Sequence, residues 1–220
     1  MAAAGTILDL RKVLTERFPQ KPAVPNSILP TGLPFFDETL AGGLPKSAIT
    51  ELIGSHRSAG SASLIHTLLR LAQRDRHFVA LIDGSDSFDP WSFAGSSFSN
   101  LLWVRCRKMF EAIKAADFLL RDGNFSLVIV DLILNTVEEL RKIPQTNWYR
   151  LQRLVEKTAS ACLILSRRSM VSSAQLKIVL DNSWILKDLE QEKSAPLPFH
   201  FRIQRSHPRS EIAARKSKAG

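Results

Sequence analysis

A chain of 220 residues, 45% of them apolar and 23% charged, fits one ordinary domain with tails and is long enough to bury a real core. No run of about 18 apolar residues occurs, the start lacks a signal-peptide pattern, and five scattered histidines make no metal spacing, so neither a membrane span nor a metal centre is expected and a cytoplasmic protein is the expectation. The net charge of +9 raises the expectation of a polyanionic partner, most plausibly nucleic acid, while Cys106 and Cys162, each in or beside an apolar run, read as reduced core residues.

Residues 5–18 form an amphipathic pattern through Ile7, Leu8, Leu10, Val13, Leu14 and Phe18, which predicts a lone helix. Pro19, Pro22 and Pro25 then make a linker. A short helix is expected from Thr31-Gly32-Leu33 through Asp37 to Leu40, then a turn at Gly42-Gly43-Leu44-Pro45 and a strand over Ile49–Ile53 that delivers the chain to Gly54. A helical pattern covers Leu64–Leu71. Strands follow at 77–83, ending in Asp83, and at Leu101–Val104. Glu111–Arg121 reads as a helix with Ile113, Ala116, Phe118 and Leu120 turned inward. Phe125–Asp131 is the most apolar strand, Tyr149–Thr158 a helix with Leu151, Leu154 and Val155, and Ala161–Leu165 a further core strand. Continuous apolar strands separated by helices predict an α/β fold: a mostly parallel central sheet covered on both faces. Residues 176–187 and 199–205, with little helix between them, predict an antiparallel edge. The domain reading is an N-terminal helix and linker over 1–29, a core over 30–205 and a tail over 206–220. From Gln191 to Gly220 seven basic residues stand against two acidic ones, a net +5, and the last dozen residues have too few apolar groups to order themselves.

Between the strand ending at Ile53 and the next helix lies Gly54-Ser55-His56-Arg57-Ser58-Ala59-Gly60-Ser61-Ala62-Ser63. A phosphate-binding loop, G-x-x-x-x-G-K-[ST], belongs in that position. Its amides cradle phosphates, its Lys reaches the β/γ oxygens and its hydroxyl holds Mg²⁺. Here five residues separate the glycines, Ser61 stands where the Lys belongs, and Ala62 follows it. The architecture resembles that of an ATPase, and the missing residues imply that the chemistry is removed. Gly54, Gly60, Ser61 and Ser63 are the candidate remnant of a nucleotide site.

The order Thr31-Gly32 … Asp37 … Gly42-Gly43-Leu44-Pro45 … Glu51-Leu52-Ile53-Gly54, with Asp83-Gly84-Ser85-Asp86-Ser87-Phe88-Asp89-Pro90 downstream and a strand ending Val130-Asp131, resembles RecA over roughly residues 30–188. The resemblance implies a RecA-like P-loop fold. It puts Asp131 at the Mg²⁺-side acid, Ser85 at the position of the catalytic Glu, and Ser166-Arg167-Arg168 where a Gln senses the γ-phosphate. A serine is neither acid nor base at neutral pH, so loss of Lys, Glu and sensor together implies no catalytic residues and no turnover. No cofactor is expected. Amides at the helix start near Gly60 leave residual ATP binding open, with Asp131 completing the remnant site. The pattern Leu101–Arg107, then Glu111-Ala112 and Ala115-Ala116, then Arg121-Asp122-Gly123-Asn124-Phe125 is similar to ImuA, a family of small RecA-like proteins sometimes filed under SulA-like names. That resemblance implies a non-hydrolysing adaptor in SOS-induced translesion synthesis and mutagenesis. Its partners would be an ImuB-type polymerase-like protein and an error-prone polymerase, with RecA and single-stranded DNA as further candidates and association with the nucleoid on DNA damage. RecA proteins polymerise through an N-terminal helix; residues 5–18 either do this or fold back.

The candidate DNA or partner contacts are Arg105, Arg107, Arg141, Arg150, Arg153, Arg167 and Arg168, Trp148 with its neighbour Tyr149, and Arg215, Lys216 and Lys218 of the tail. Aromatic plus Arg can stack bases; the rival role for Trp148 is to staple a helix start to the core. Two other functions compete with the adaptor: an active DNA-dependent ATPase or recombinase, opposed by the missing Lys, and a SulA-like division inhibitor, which needs neither the basic tail nor the loop remnant. Removing residues 206–220 is expected to weaken DNA binding and flatten its salt dependence in a titration of affinity against salt. An unchanged slope would assign the tail to a protein partner.

Overall fold

The computed structural model describes residues 27–54, 60–90, 99–182 and 200–206. The expected helix over 5–18, the Pro linker, loop residues 55–59 with Arg57, and the tail residues Arg215, Lys216 and Lys218 lie outside them. The described chain opens with β1 (Ile28–Leu29), α1 (Pro34–Thr39), β2 (Leu44–Pro45) and β3 (Ala48–Gly54). Thr31 and Asp37 owe their spacing to one carboxylate. Asp37 accepts from the Thr31 amide at 2.8 Å, its hydroxyl at 2.7 Å and the Gly32 amide at 3.1 Å, fixing the chain as it enters α1. The stretch 42–45 is more than a turn, because β2 pairs antiparallel with β1. Gly43 is required there: its φ is +135°, and a Cβ would lie 2.2 Å from the Leu29 carbonyl oxygen.

The alternation then runs α2 (Ser61–Arg74), β4 (Val79–Asp83), β5 (Leu101–Arg105), α3 (Met109–Asp122), β6 (Leu127–Asp131), α4 (Val137–Arg141), α5 (Gln145–Val155), β7 (Ala161–Ser166), β8 (Leu176–Leu180) and β9 (Phe201–Ser206). The main sheet has seven strands in the order β5-β4-β6-β7-β3-β8-β9. All pairs are parallel except β8–β9, so the expected antiparallel edge is present. Leu52, Leu81, Ile129 and Leu163 project to one face, where Leu64, Ile65, Leu68 and Leu69 of α2 cover them. Ile49, Ile82, Val130 and Ile164 project to the other, under Ala112 and Ala116 of α3 and Leu151 and Val155 of α5. Each such large apolar side chain contributes about 1.5–3 kcal/mol when fully buried, so the two layers hold the sheet from both sides. Cys106 and Cys162 are free and buried; burial pushes the Cys162 thiol up to about 12.

Three expectations need correction. Phe118 does not turn inward: it is 73% exposed, because the buried arc of α3 runs through Ala112, Ile113, Ala116 and Leu120 and residue 118 falls on the opposite side of a 3.6-residue turn. The helix expected over 149–158 begins earlier, at Gln145 after Pro144. Strand β8 stops at Leu180 instead of 187.

Inside this apolar sheet sits one ion pair. Glu51 of β3 is fully buried, and its carboxylate meets the Lys177 ammonium of β8 at 2.7 Å. The same carboxylate accepts from the amides of Met170 at 2.6 Å and Val171 at 2.9 Å, while Lys177 also donates to the Ser169 hydroxyl at 2.8 Å. Lys177→Met is expected to lower stability by about 3–5 kcal/mol in urea unfolding, since it leaves a buried carboxylate without its cation. A loss under about 1 kcal/mol would show that Glu51 tolerates isolation.

Candidate functional site

Because the strands are parallel, the C-terminal ends of β3, β4, β5, β6 and β7 share one edge of the sheet. Ligands of open α/β sheets bind at that edge. It gathers Gly54, Asp83, Arg105, Asp131 and Ser166 with the Arg167-Arg168 pair that follows. Gly54 ends β3 beside Leu180 of β8. Gly60 caps α2 with φ +90° and ψ 9°, a left-handed conformation that glycine adopts at no steric cost, and its carbonyl accepts the Leu64 amide at 3.0 Å. Ser61 is the first residue of α2 and is buried; Ser63 is half-buried, its carbonyl accepting from the Thr67 hydroxyl at 2.9 Å. A nucleotide's phosphates therefore meet no ammonium at Ser61, so among the described residues the helix start fits an anion only through its amides. The loop between the glycines lies outside those residues.

Two carboxylates dominate the middle of the edge. Asp83 and Asp131 are register partners on adjacent strands. Asp83 is fully buried and accepts from the Phe88 amide at 2.7 Å, the Ser85 amide at 3.3 Å and the Ser87 hydroxyl at 3.4 Å. It therefore holds the turn that follows β4. Ser85, where the resemblance leads one to expect a catalytic acid, shares its hydroxyl with Ser87 at 3.4 Å. Asp131 accepts one amide, that of Ile133 at 3.0 Å. Burial, with the nearby Asp83 charge, pushes its carboxyl up to about 6, against the pull of that amide. Among the described residues no three His, Cys, Asp or Glu side chains gather to hold a metal ion, and no helix is long and apolar enough to cross a membrane.

The basic candidates separate into two kinds. Arg105 is tied to Asp86 at 2.6 Å and lies 5.0 Å over the Trp103 ring. Arg150 of α5 is tied to Asp117 of α3 at 2.6 Å, and Asp117 also holds Arg121 at 2.8 Å, so Arg150 clamps the two helices. These two serve the fold first. Arg107, Arg153 and Arg168 are exposed and Arg167 half-buried, and none of the four has an ion-pair partner among the described residues. Arg153, on the helix returning toward the start of β7, stands apart from the strand-end edge. Trp148 is fully buried in the layer formed by α3 and α5, so it staples α5 to the core and has no free face on which a base could stack; its neighbour Tyr149 is half exposed. Sequence reading missed Glu51 and Lys177, whose signal is a lone acid and a lone base inside two otherwise apolar strands.

The chain is similar to the protein RecA of Clavibacter michiganensis subsp. michiganensis, 32% identical over 113 residues that make up 50% of this chain and 31% of that protein. It is 28% identical over 121 residues to the protein RecA of Streptomyces avermitilis, covering 53% of this chain and 32% of that one. Against the protein RecA of Francisella philomiragia subsp. philomiragia the identity is 32% over 111 residues, or 48% and 30% of the two chains. The fold is RecA-like. The chain spans about a third of the length of the curated relatives it matches. No family model matches it.

The raised Asp131 sets a pH test. Its folded-state value near 6 lies above the unfolded carboxylate value near 3.9, so the folded chain binds this proton more tightly and ionisation works against folding. Stability is expected to fall as pH rises from about 4 to about 6 and to stay lower beyond it. Asp131→Asn, whose amide oxygen still accepts from Ile133, is expected to remove that slope and to add up to about 3 kcal/mol at neutral pH. Urea unfolding on either side of the window reads it; an unchanged slope would trace the pH dependence to other groups.

Proposed function

We propose that this chain is a RecA-like protein of DNA repair that acts as a non-hydrolysing adaptor in SOS-induced translesion synthesis, holding an ImuB-type polymerase-like partner. The observation that carries the first part is Ser61. At the first position of α2, directly after the left-handed Gly60, a P-loop protein needs an ammonium to draw charge off the β/γ-phosphates. Ser61 supplies a buried hydroxyl. Ser85 offers no base to the attacking water, and Arg167 stands after β7 where a γ-phosphate sensor would be. The similarity to RecA proteins supports a role in repair or recombination. The likeness of residues 101–125 to ImuA supports the translesion setting and the ImuB-type partner, and the +9 charge supports contact with DNA.

The test is ATP hydrolysis by the purified protein with and without single-stranded DNA, beside a RecA control. No turnover in either condition is expected. Ser61→Lys alone is expected to leave the chain inactive, because the five-residue spacing, Ser85 and Arg167 remain. Turnover by the unaltered chain that DNA stimulates would overturn the adaptor reading, and turnover by the single variant would show that Ser61 is the sole lesion.

A further inference from the structure

Beyond the strand ends, the segment after β6 and the segment after β7 enclose a groove of about 490 Å³, within the roughly 300–1,000 Å³ typical of ligand clefts. Its floor is apolar: Leu140, Ile143 and Trp148, all buried, with half-buried Met170 on one wall. Its rim is basic. Arg141 and Arg168 stand on it, both exposed, and neither has an ion-pair partner among the described residues. Among the described residues the indole N–H of Trp148 has no acceptor either.

The groove is held in shape from two sides. Beneath it, Glu51 accepts the amides of Met170 and Val171, so the loop carrying Arg168 cannot drift without breaking a buried charge network. At the rim, Gln145 donates to the Met170 carbonyl at 3.2 Å and accepts from the Ser172 hydroxyl at 2.6 Å, tying α5 to the same loop. An occupant therefore has little ordering cost to meet on this side.

We propose that this groove binds an acidic peptide segment of a protein partner, with an apolar side chain seated against Met170 over the apolar floor and flanking carboxylates on Arg141 and Arg168. Guanidinium groups take carboxylates in bidentate geometry, and an apolar anchor flanked by charges is the usual economy of peptide recognition. The observations favour peptide over nucleic acid. Single strands are held by exposed aromatic faces along a basic track, whereas Trp148 is fully buried and, among the described residues, two cations line the groove, Arg141 and Arg168. The inference deepens the adaptor reading and rests on it, since it names the surface through which a partner would be held.

The experiment selects a phage-displayed library of random peptides, about 16 residues long, against the full chain. Fluorescence anisotropy then measures the selected peptides on the unaltered protein, on Arg141→Glu, Arg168→Glu and Met170→Ser, and on Arg70→Glu, an exposed α2 position away from the groove. Circular dichroism confirms that each variant folds. Selected peptides are expected to carry Asp and Glu around a Leu, Phe or Trp, to bind at least about tenfold more weakly to either charge reversal, to weaken on Met170→Ser, and to ignore Arg70→Glu. Failure to select any peptide, peptides without acidic residues, or affinities indifferent to the reversals would overturn the inference. So would a single-stranded oligonucleotide that displaces the peptides and itself depends on Arg141 and Arg168, since the groove would then be a nucleic-acid site. ATP turnover is read separately: turnover with reversal-sensitive peptide binding sinks the adaptor reading alone, and no turnover with indifferent peptides sinks this inference alone.

Discussion

The loop that follows β7 depends on one buried charge pair. Glu51 and Lys177 sit on neighbouring strands, 2.7 Å apart, facing a layer built of apolar side chains. Such a pair gains little net stability over an apolar one, because desolvation offsets most of the Coulomb attraction. Its consequence is positional. The second oxygen of Glu51 is spent on the amides of Met170 and Val171, which turns a surface loop into a fixed wall. Arg167 and Arg168 lead into that wall, and Met170 is part of it. An apolar pair at 51 and 177 would pack as well and leave the loop free.

Other turns of the fold are set by the same device: a carboxylate that collects backbone amides. Asp37 gathers Thr31 and Gly32, Asp83 gathers Ser85 and Phe88, and Glu139 closes on Thr136 at 3.0 Å as the helix α4 begins. Each satisfies donors that water would otherwise take. Asp131 is the exception. It collects only Ile133, lies beside Asp83, and holds its proton more tightly than an ordinary carboxylate. In this edge, where acids are used to bind the chain to itself, Asp131 is the one whose surroundings do not repay its charge.

The layered sheet was legible because it is written in long apolar runs. Residues 48–53, 79–83, 127–131 and 161–165 are buried in the structure much as their composition demands. The motif Thr31 … Asp37 was legible because its residue types act locally. What escaped was set by the third dimension. The spacing of Phe118 is helical, but spacing does not say where the buried arc is centred, and residue 118 lies outside it. The five-residue helix α4 carries a Thr136…Glu139 capping box, yet is too short for any periodicity to register. Glu51 and Lys177 are 126 positions apart in the numbering, and only the sheet order brings β3 and β8 together.

These contacts bear on the proposal that this RecA-like core serves without hydrolysis. In a nucleotide-driven protein the strand-end edge must move between states, so its loops are drawn from the least stable parts of the fold. Here the loop after β7 is pinned to the sheet interior by a buried ion pair and to α5 by Gln145. A loop held that firmly would, under the adaptor proposal, have little freedom to report the difference between bound triphosphate and diphosphate. The same rigidity favours a surface whose job is to present a fixed shape, because nothing has to be ordered when a partner arrives. The serine at position 61 and the clamp at position 51 thus support the same proposal: one offers no ammonium to a phosphate, and the other ties the loop after β7 to the sheet interior.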